Sequence, residues 1–248
     1  MKKQLYVIGI GPGVREQMTI RADRVLQECE VIAGYTVYAD LVRGYYPDAE
    51  FITTAMRQEK ERCRMALLAA DSGRKTALIC SGDSGVYGMA GLVLQMASEY
   101  PEVSVEVIPG VTAALAGGAV LGAPLGHDFA VISLSDLLTP MELIEKRLRA
   151  AAEADFILCL YNPASRKRKD YLNKACQILL ESKSPETVCG LVKNIGREGE
   201  SMELCTLREL AEKDADMFTT VFVGNRETIE KNGRMITPRG YKGVNRDE

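Results

Sequence analysis

The chain lacks tryptophan altogether, has a single histidine, and carries seven cysteines without one Cys-x-x-Cys pair. The cysteine pattern argues against a zinc site and, with an odd number and several thiols inside apolar runs such as FILCLY, reads as buried reduced thiols of a cytoplasmic protein. Aromatic residues are only 6% and the formal net charge is −3, so nothing in the composition builds a basic, aromatic-bearing face for nucleic acid. No G-x-x-x-x-G-K-[ST] occurs, which leaves out the ATP-type phosphate loop. No membrane span is expected either. The one charge-free stretch, Val107 to His127, holds Pro109, Pro124 and five glycines, which suits a buried helix of small residues between two turns. The N-terminal apolar run is too short for a signal peptide and ends in Gly-Pro-Gly.

What is present is an alternation of strand and helix patterns. Strands are expected at 4–8, 31–34, 76–80, 103–108, 129–134, 155–160, 187–192, 202–206 and 219–223, where β-branched and apolar residues cluster. Helical periodicity falls at Thr19 (as cap) to about Glu30, and at 58–72, 88–99, 141–154 and 169–182. The pattern predicts an α/β protein with mostly parallel sheets, in two halves, 1–122 and 123–248.

In α/β folds ligands gather at the carboxyl ends of strands. The unusual motifs sit there: GIGPG after the first strand, SGDSGVYG after 76–80, PGVTAA after 103–108, YNP after 155–160 and VGN after 219–223. The first turn has Val14 where a dinucleotide fingerprint needs glycine, and Pro12 inside the loop, so it allows close backbone approach without being a nicotinamide signature. Asp83, between two glycines, suits a cationic or hydroxylated ligand, or the capping of the helix beyond it.

Taken together, GIGPG, GYTVYADLV, SGDSGVYGMAGLV, IPGVTAALAGGAVLGAPLGHDFAVISLSDLLTP, LYNPASRKR and FVGNRETIEKNGRMITPRGY resemble the tetrapyrrole (corrin/porphyrin) methylases, from about Leu5 to Tyr241. Within that family, GHDF–SLSDLLTP and ITPRGY resemble the branch that methylates C(17) of a precorrin or cobalt-precorrin ring with ring contraction, on the route to cobalamin. Met141 departs from the pattern, where a Trp is expected. The resemblance implies two α/β domains with the active site in the cleft between them, a homodimer, and S-adenosyl-L-methionine as cofactor with S-adenosylhomocysteine as product. By motif position it implies cofactor contacts from Pro12, Gly82, Asp83, Val86, Thr112, Ala113, Asn162 and Gly196. Backbone N–H groups at a helix start near Thr112 suit the cofactor's carboxylate. His127, with Asp128 beside it, is the candidate for acid–base work in ring contraction. Ser133, Ser135 and Asp136 are candidate substrate contacts, and Arg166 and Arg239 candidate partners for the acetate and propionate groups of the macrocycle. No resident metal is expected. A sister methylase acting on another carbon, on diphthamide or on ribosomal RNA, and a non-catalytic corrinoid-binding protein, remain the alternatives.

Overall fold

The structure is a computed structural model, and it describes residues 3–165 and 169–241. The chain divides into two compact units, Met1–Ala113 and Ala114–Glu248.

The first unit strings together β1 (Gln4–Gly9), α1 (Ile20–Gln27), β2 (Val31–Tyr35), α2 (Thr36–Val42), β3 (Glu50–Thr54), α3 (Glu59–Asp71), β4 (Thr76–Cys80), α4 (Ala90–Met96) and β5 (Ser104–Ile108). The strands form one sheet in the order β3-β2-β4-β1-β5, with every pair parallel. A parallel sheet is covered on both faces, and the strand sequences follow from that. In β1, Leu5 and Val7 pack into one cluster with Cys63, Ala66, Leu67 and Ala70 of α3 and Val93 of α4. Ile8 and Ile10 join the other cluster, with Ala22 and Leu26 of α1 and Ala39 and Val42 of α2. Successive residues of a strand point to opposite faces, so one apolar run feeds two cores. Thr19 caps α1, its Oγ1 accepting the Ala22 N–H at 3.1 Å.

The second unit contains α5 (Ala113–Leu121), β6 (Gly122–Ala123), β7 (Phe129–Ser133), α6 (Met141–Glu153), β8 (Ile157–Tyr161), α7 (Tyr171–Leu180), β9 (Val188–Lys193), β10 (Ser201–Thr206), α8 (Leu207–Leu210), β11 (Thr219–Val223), β12 (Ile229–Lys231) and β13 (Arg234–Ile236). Its main sheet runs β10-β9-β11-β8-β7. Here the expectation of mostly parallel strands needs correcting. Only β7–β8 is parallel, while β8–β11, β11–β9 and β9–β10 are antiparallel. Short connections of hairpin type, such as the one between β9 and β10, cannot make a parallel pair. One face packs on α6, α7 and α8 through Ile144, Leu148, Leu172, Leu179 and Leu207. On the other, α5 lies close because its residues are small. A Cβ on Gly117 would stand 2.9 Å from the Phe222 ring and from Ile195 Cδ1, and Leu121 fills the space over Gly190. That packing assigns all of α5 but its first residue to the second unit, so the division falls between Ala113 and Ala114 and not after the helix at 122/123.

Among the described residues no helix is long and apolar enough to cross a membrane. Six of the seven cysteines are buried, and Cys205 is half-buried.

Candidate active site

In the first unit, β4, β1 and β5 are parallel neighbours, so their carboxyl ends share one edge. The three glycine turns meet there. Gly11 N–H donates to the Gly82 carbonyl at 3.0 Å, and Gly82 N–H donates back to the Gly11 carbonyl at 2.8 Å. A Cβ on Gly110 would stand 2.2 Å from the Gly82 oxygen and 2.6 Å from the Gly9 oxygen. Backbone therefore lies directly on backbone, and no side chain can be inserted between the turns. Gly82 has φ +69°, and the place a side chain would take opens towards Thr112, 3.5 Å from its Cα.

Asp83 locks this arrangement. Its Oδ1 accepts the Gly110 N–H at 2.9 Å, and its Oδ2 accepts the Gly85 and Val86 N–H groups at 2.7 and 3.0 Å. One carboxylate thus ties the turn after β4 to the turn after β5 with charge-assisted bonds. Ser84, fully buried, donates to the Ile108 carbonyl at 3.0 Å and adds a second tie. The geometry brings together Pro12, Gly82, Asp83, Val86, Thr112 and Ala113. Pro12 adjoins Gly11 in a buried stretch, Val86 is part exposed at the rim, and Thr112 and Ala113 face Gly82. The tie to Gly110 is the part of Asp83's structural duty that the capping role expected from sequence did not include. Burial pushes the thiol of Cys80, just before the turn, up to about 11.

In the second unit, β7 and β8 end at Ser133 and Tyr161. Asn162 turns the chain with φ +53°, and its Nδ2 donates to Ser133 Oγ at 2.9 Å. Ser135 N–H reaches the same oxygen at 3.3 Å. Asp136 accepts the Tyr171 hydroxyl at 2.7 Å. β9 is antiparallel to β11 and so parallel to β8, which puts Gly196, with φ +66°, at this same edge. Tyr161, not singled out from sequence, accepts the Ala114 N–H through its hydroxyl at 2.6 Å. That donor of the first turn of α5 is therefore engaged within the unit. The aromatic in LYNP, directly before the left-handed Asn162, was the available signal.

The remaining candidates fall elsewhere. His127 and Asp128 precede β7, and both are exposed. At about 3.3 Å per residue, β7 separates Asp128 from Ser133 by roughly 16 Å. They stand beside the C-terminal stretch instead: Thr237 N–H donates to the Ala123 carbonyl at 3.0 Å, Thr237 Oγ1 donates to the Pro124 carbonyl at 2.6 Å, and a Cβ on Gly126 would lie 2.1 Å from the Thr237 oxygen. Arg239, two residues further on, is exposed on that side. The sequence motifs GHDF and ITPRGY are thus one structural feature, separate from Ser133 and Asn162. Arg166 lies outside the described residues. Among the described residues no group of three His, Cys, Asp or Glu side chains is placed to hold a metal.

The family model of the tetrapyrrole (corrin/porphyrin) methylases matches residues 4–211. The chain belongs to that family. Similarity extends over the whole methylase. It is 50% identical over 238 residues to a probable cobalt-factor III C(17)-methyltransferase of Salmonella typhimurium, covering 96% of this chain and 99% of that one. It is 39% identical to a precorrin-3B C(17)-methyltransferase of Sinorhizobium sp, covering 98% and 99%. Among solved structures, the methyltransferase CobJ superposes with a TM-score of 0.87 at 35% identity over 95% of this methylase and 99% of CobJ.

Proposed function

We propose that this methylase transfers a methyl group from S-adenosyl-L-methionine to C(17) of a precorrin-3B or cobalt-factor III type tetrapyrrole, with ring contraction, in cobalamin biosynthesis. The observation that carries the reading is end-to-end similarity at 50% identity to a C(17)-methyltransferase, with the glycine turns assembled at one sheet edge.

The residues fit the cofactor. A backbone-lined edge, with Gly82 open towards Thr112, lets a ligand approach main-chain carbonyls and amides without side chains between. When bound, S-adenosylmethionine supplies an activated methyl group on a sulfonium. The protein's part is alignment. Pro12, Gly82, Val86, Thr112 and Ala113 hold the donor, Asp83 keeps their turns in register, and Asn162 and Gly196 are the remaining cofactor contacts. Rigid turns fixed by internal hydrogen bonds preorganise the reacting groups, which is the main contribution a protein makes to a displacement at carbon. Ser133, Ser135 and Asp136 bind the macrocycle, and Arg239 and Arg166 pair with its carboxylates. The higher identity to the cobalt-factor III enzyme than to the precorrin-3B enzyme favours a cobalt-containing substrate. The enzyme acts as a cytoplasmic homodimer, which sedimentation of the purified protein tests.

Purified protein, methyl-labelled S-adenosylmethionine and either cobalt-loaded or metal-free substrate give a one-methyl product detectable by mass spectrometry, with the cobalt form turned over faster. Absence of label in both products overturns the assignment. His127→Ala is expected to leave S-adenosylhomocysteine affinity unchanged, because β7 separates it from Asn162 and Ser133. Loss of turnover in that variant with binding intact assigns His127 to ring contraction, and parent-like turnover assigns it to the fold.

A further inference from the structure

Arg62, in the first turn of α3, is 3% exposed. Its Nε donates to Thr54 Oγ1 at 2.9 Å, its Nη2 to the Ala55 carbonyl at 2.9 Å, and its Nη1 to the Met89 sulfur at 3.3 Å. The guanidinium carbon lies 5.8 Å from the Tyr35 ring centroid. All of these are neutral groups. Its acidic neighbours in the helix are engaged elsewhere: Glu59 accepts the Arg57 N–H, and Glu61 pairs with Arg64. Among the described residues no carboxylate forms an ion pair with Arg62. Lys183, the other deeply buried cation, has Asp155 at 3.2 Å. A buried charge without a counter-charge is costly and calls for one.

Location says where a counter-charge would come from. Tyr35 and Thr54 are the last residues of β2 and β3, and Met89 follows the SGDSGVYG turn after β4. Arg62 therefore stands under the carboxyl ends of the parallel sheet, the edge at which α/β folds take ligands and at which the glycine turns converge. A guanidinium has five N–H donors in a planar fork suited to a carboxylate, and three are used here, one of them on a soft thioether. Methionine is flexible and a weak acceptor, so a carboxylate oxygen readily displaces it.

We propose that Arg62 is the receptor for a carboxylate of a bound ligand, which takes over the Nη1 donor now directed at the Met89 sulfur. The inference rests on the methylase reading, which offers two sources: the carboxylate of the cofactor's amino-acid moiety, and the acetate and propionate groups of the macrocycle.

The test compares Arg62→Met with the parent by calorimetric titration with S-adenosylhomocysteine and by absorbance titration with uroporphyrin, a tetrapyrrole carrying acetate and propionate groups. Thermal unfolding is recorded alongside. At least about tenfold weaker binding of one ligand, with a melting temperature no lower than the parent's, supports the proposal and names the source. Replacing a buried unpaired charge with an apolar side chain removes its desolvation cost, whereas removing a purely structural clamp only loses contacts and lowers stability. Arg62→Lys, which keeps the charge but loses the fork, is the second variant should Arg62→Met fail to fold, and it is expected to weaken the same ligand. A parent that binds both ligands, beside variants that bind both equally well, overturns the role of Arg62 alone. A parent that binds neither overturns the methylase reading and this inference with it.

Discussion

Gly110→Ala is expected to unfold or severely destabilise the first unit, by about 3–5 kcal/mol, and to abolish binding of S-adenosylhomocysteine. The added methyl would sit 2.2 Å from the Gly82 oxygen, 2.6 Å from the Gly9 oxygen and 2.7 Å from the Gly9 carbonyl carbon. Those atoms are backbone, held by the ladder of a parallel sheet in which β4 is fully buried and β1 buried at all but Tyr6, and they cannot swing aside as a side-chain end would. Relief requires the turns after β1, β4 and β5 to separate, and the same separation dismantles the ligand edge. Gly91→Ala is the control: nothing stands within 4 Å of its missing Cβ, and it lies in α4, where alanine is the better helix former. The control is expected to be neutral or slightly stabilising. Thermal unfolding and calorimetric titration of the two variants settle the matter, and a Gly110→Ala protein as stable as its parent would refute the proposed contact between the turns.

The second large effect belongs to Asp83→Asn, expected to cost about 2–4 kcal/mol and to weaken S-adenosylhomocysteine at least about tenfold. The carboxylate accepts three backbone N–H groups, from Gly85, Val86 and Gly110. An amide keeps one acceptor oxygen and turns its NH2 towards N–H groups, so at least one donor loses its partner and is opposed by the NH2. Stability and affinity fall together, because the residue acts on the ligand edge by fixing the turns. A variant that loses affinity while its melting temperature stays unchanged would instead place Asp83 in direct contact with the cofactor.

Much of the fold was legible in the sequence. β1, β4, β8 and β11 are short, apolar and bounded by turn residues, and each lies buried where its pattern puts it. Helices α1, α3, α6 and α7 follow from their apolar spacing. The elements that escaped carry weak patterns. β3 pairs only with β2 at the edge of its sheet and buries only Thr54, α2 mixes β-branched and aromatic residues, α8 is a single turn announced by the Thr206–Glu209 capping box, and β12 and β13 are strands of three residues each.

The sequence by itself determined the α/β class, the glycine turns at strand ends and, through the motifs they make together, the methylase family. Those features are local: apolar runs, turn residues and short motifs are written over a few consecutive positions. Only the tertiary structure decided which turns touch, that Asp83 clamps two of them, that α5 packs with the second unit, that β7 sets His127 apart from Ser133, and that Arg62 is buried without a counter-charge. Strand order and the pairing of distant residues depend on which surfaces bury against each other, and contacts such as Gly9 with Gly110 span sequence distances that no local pattern encodes.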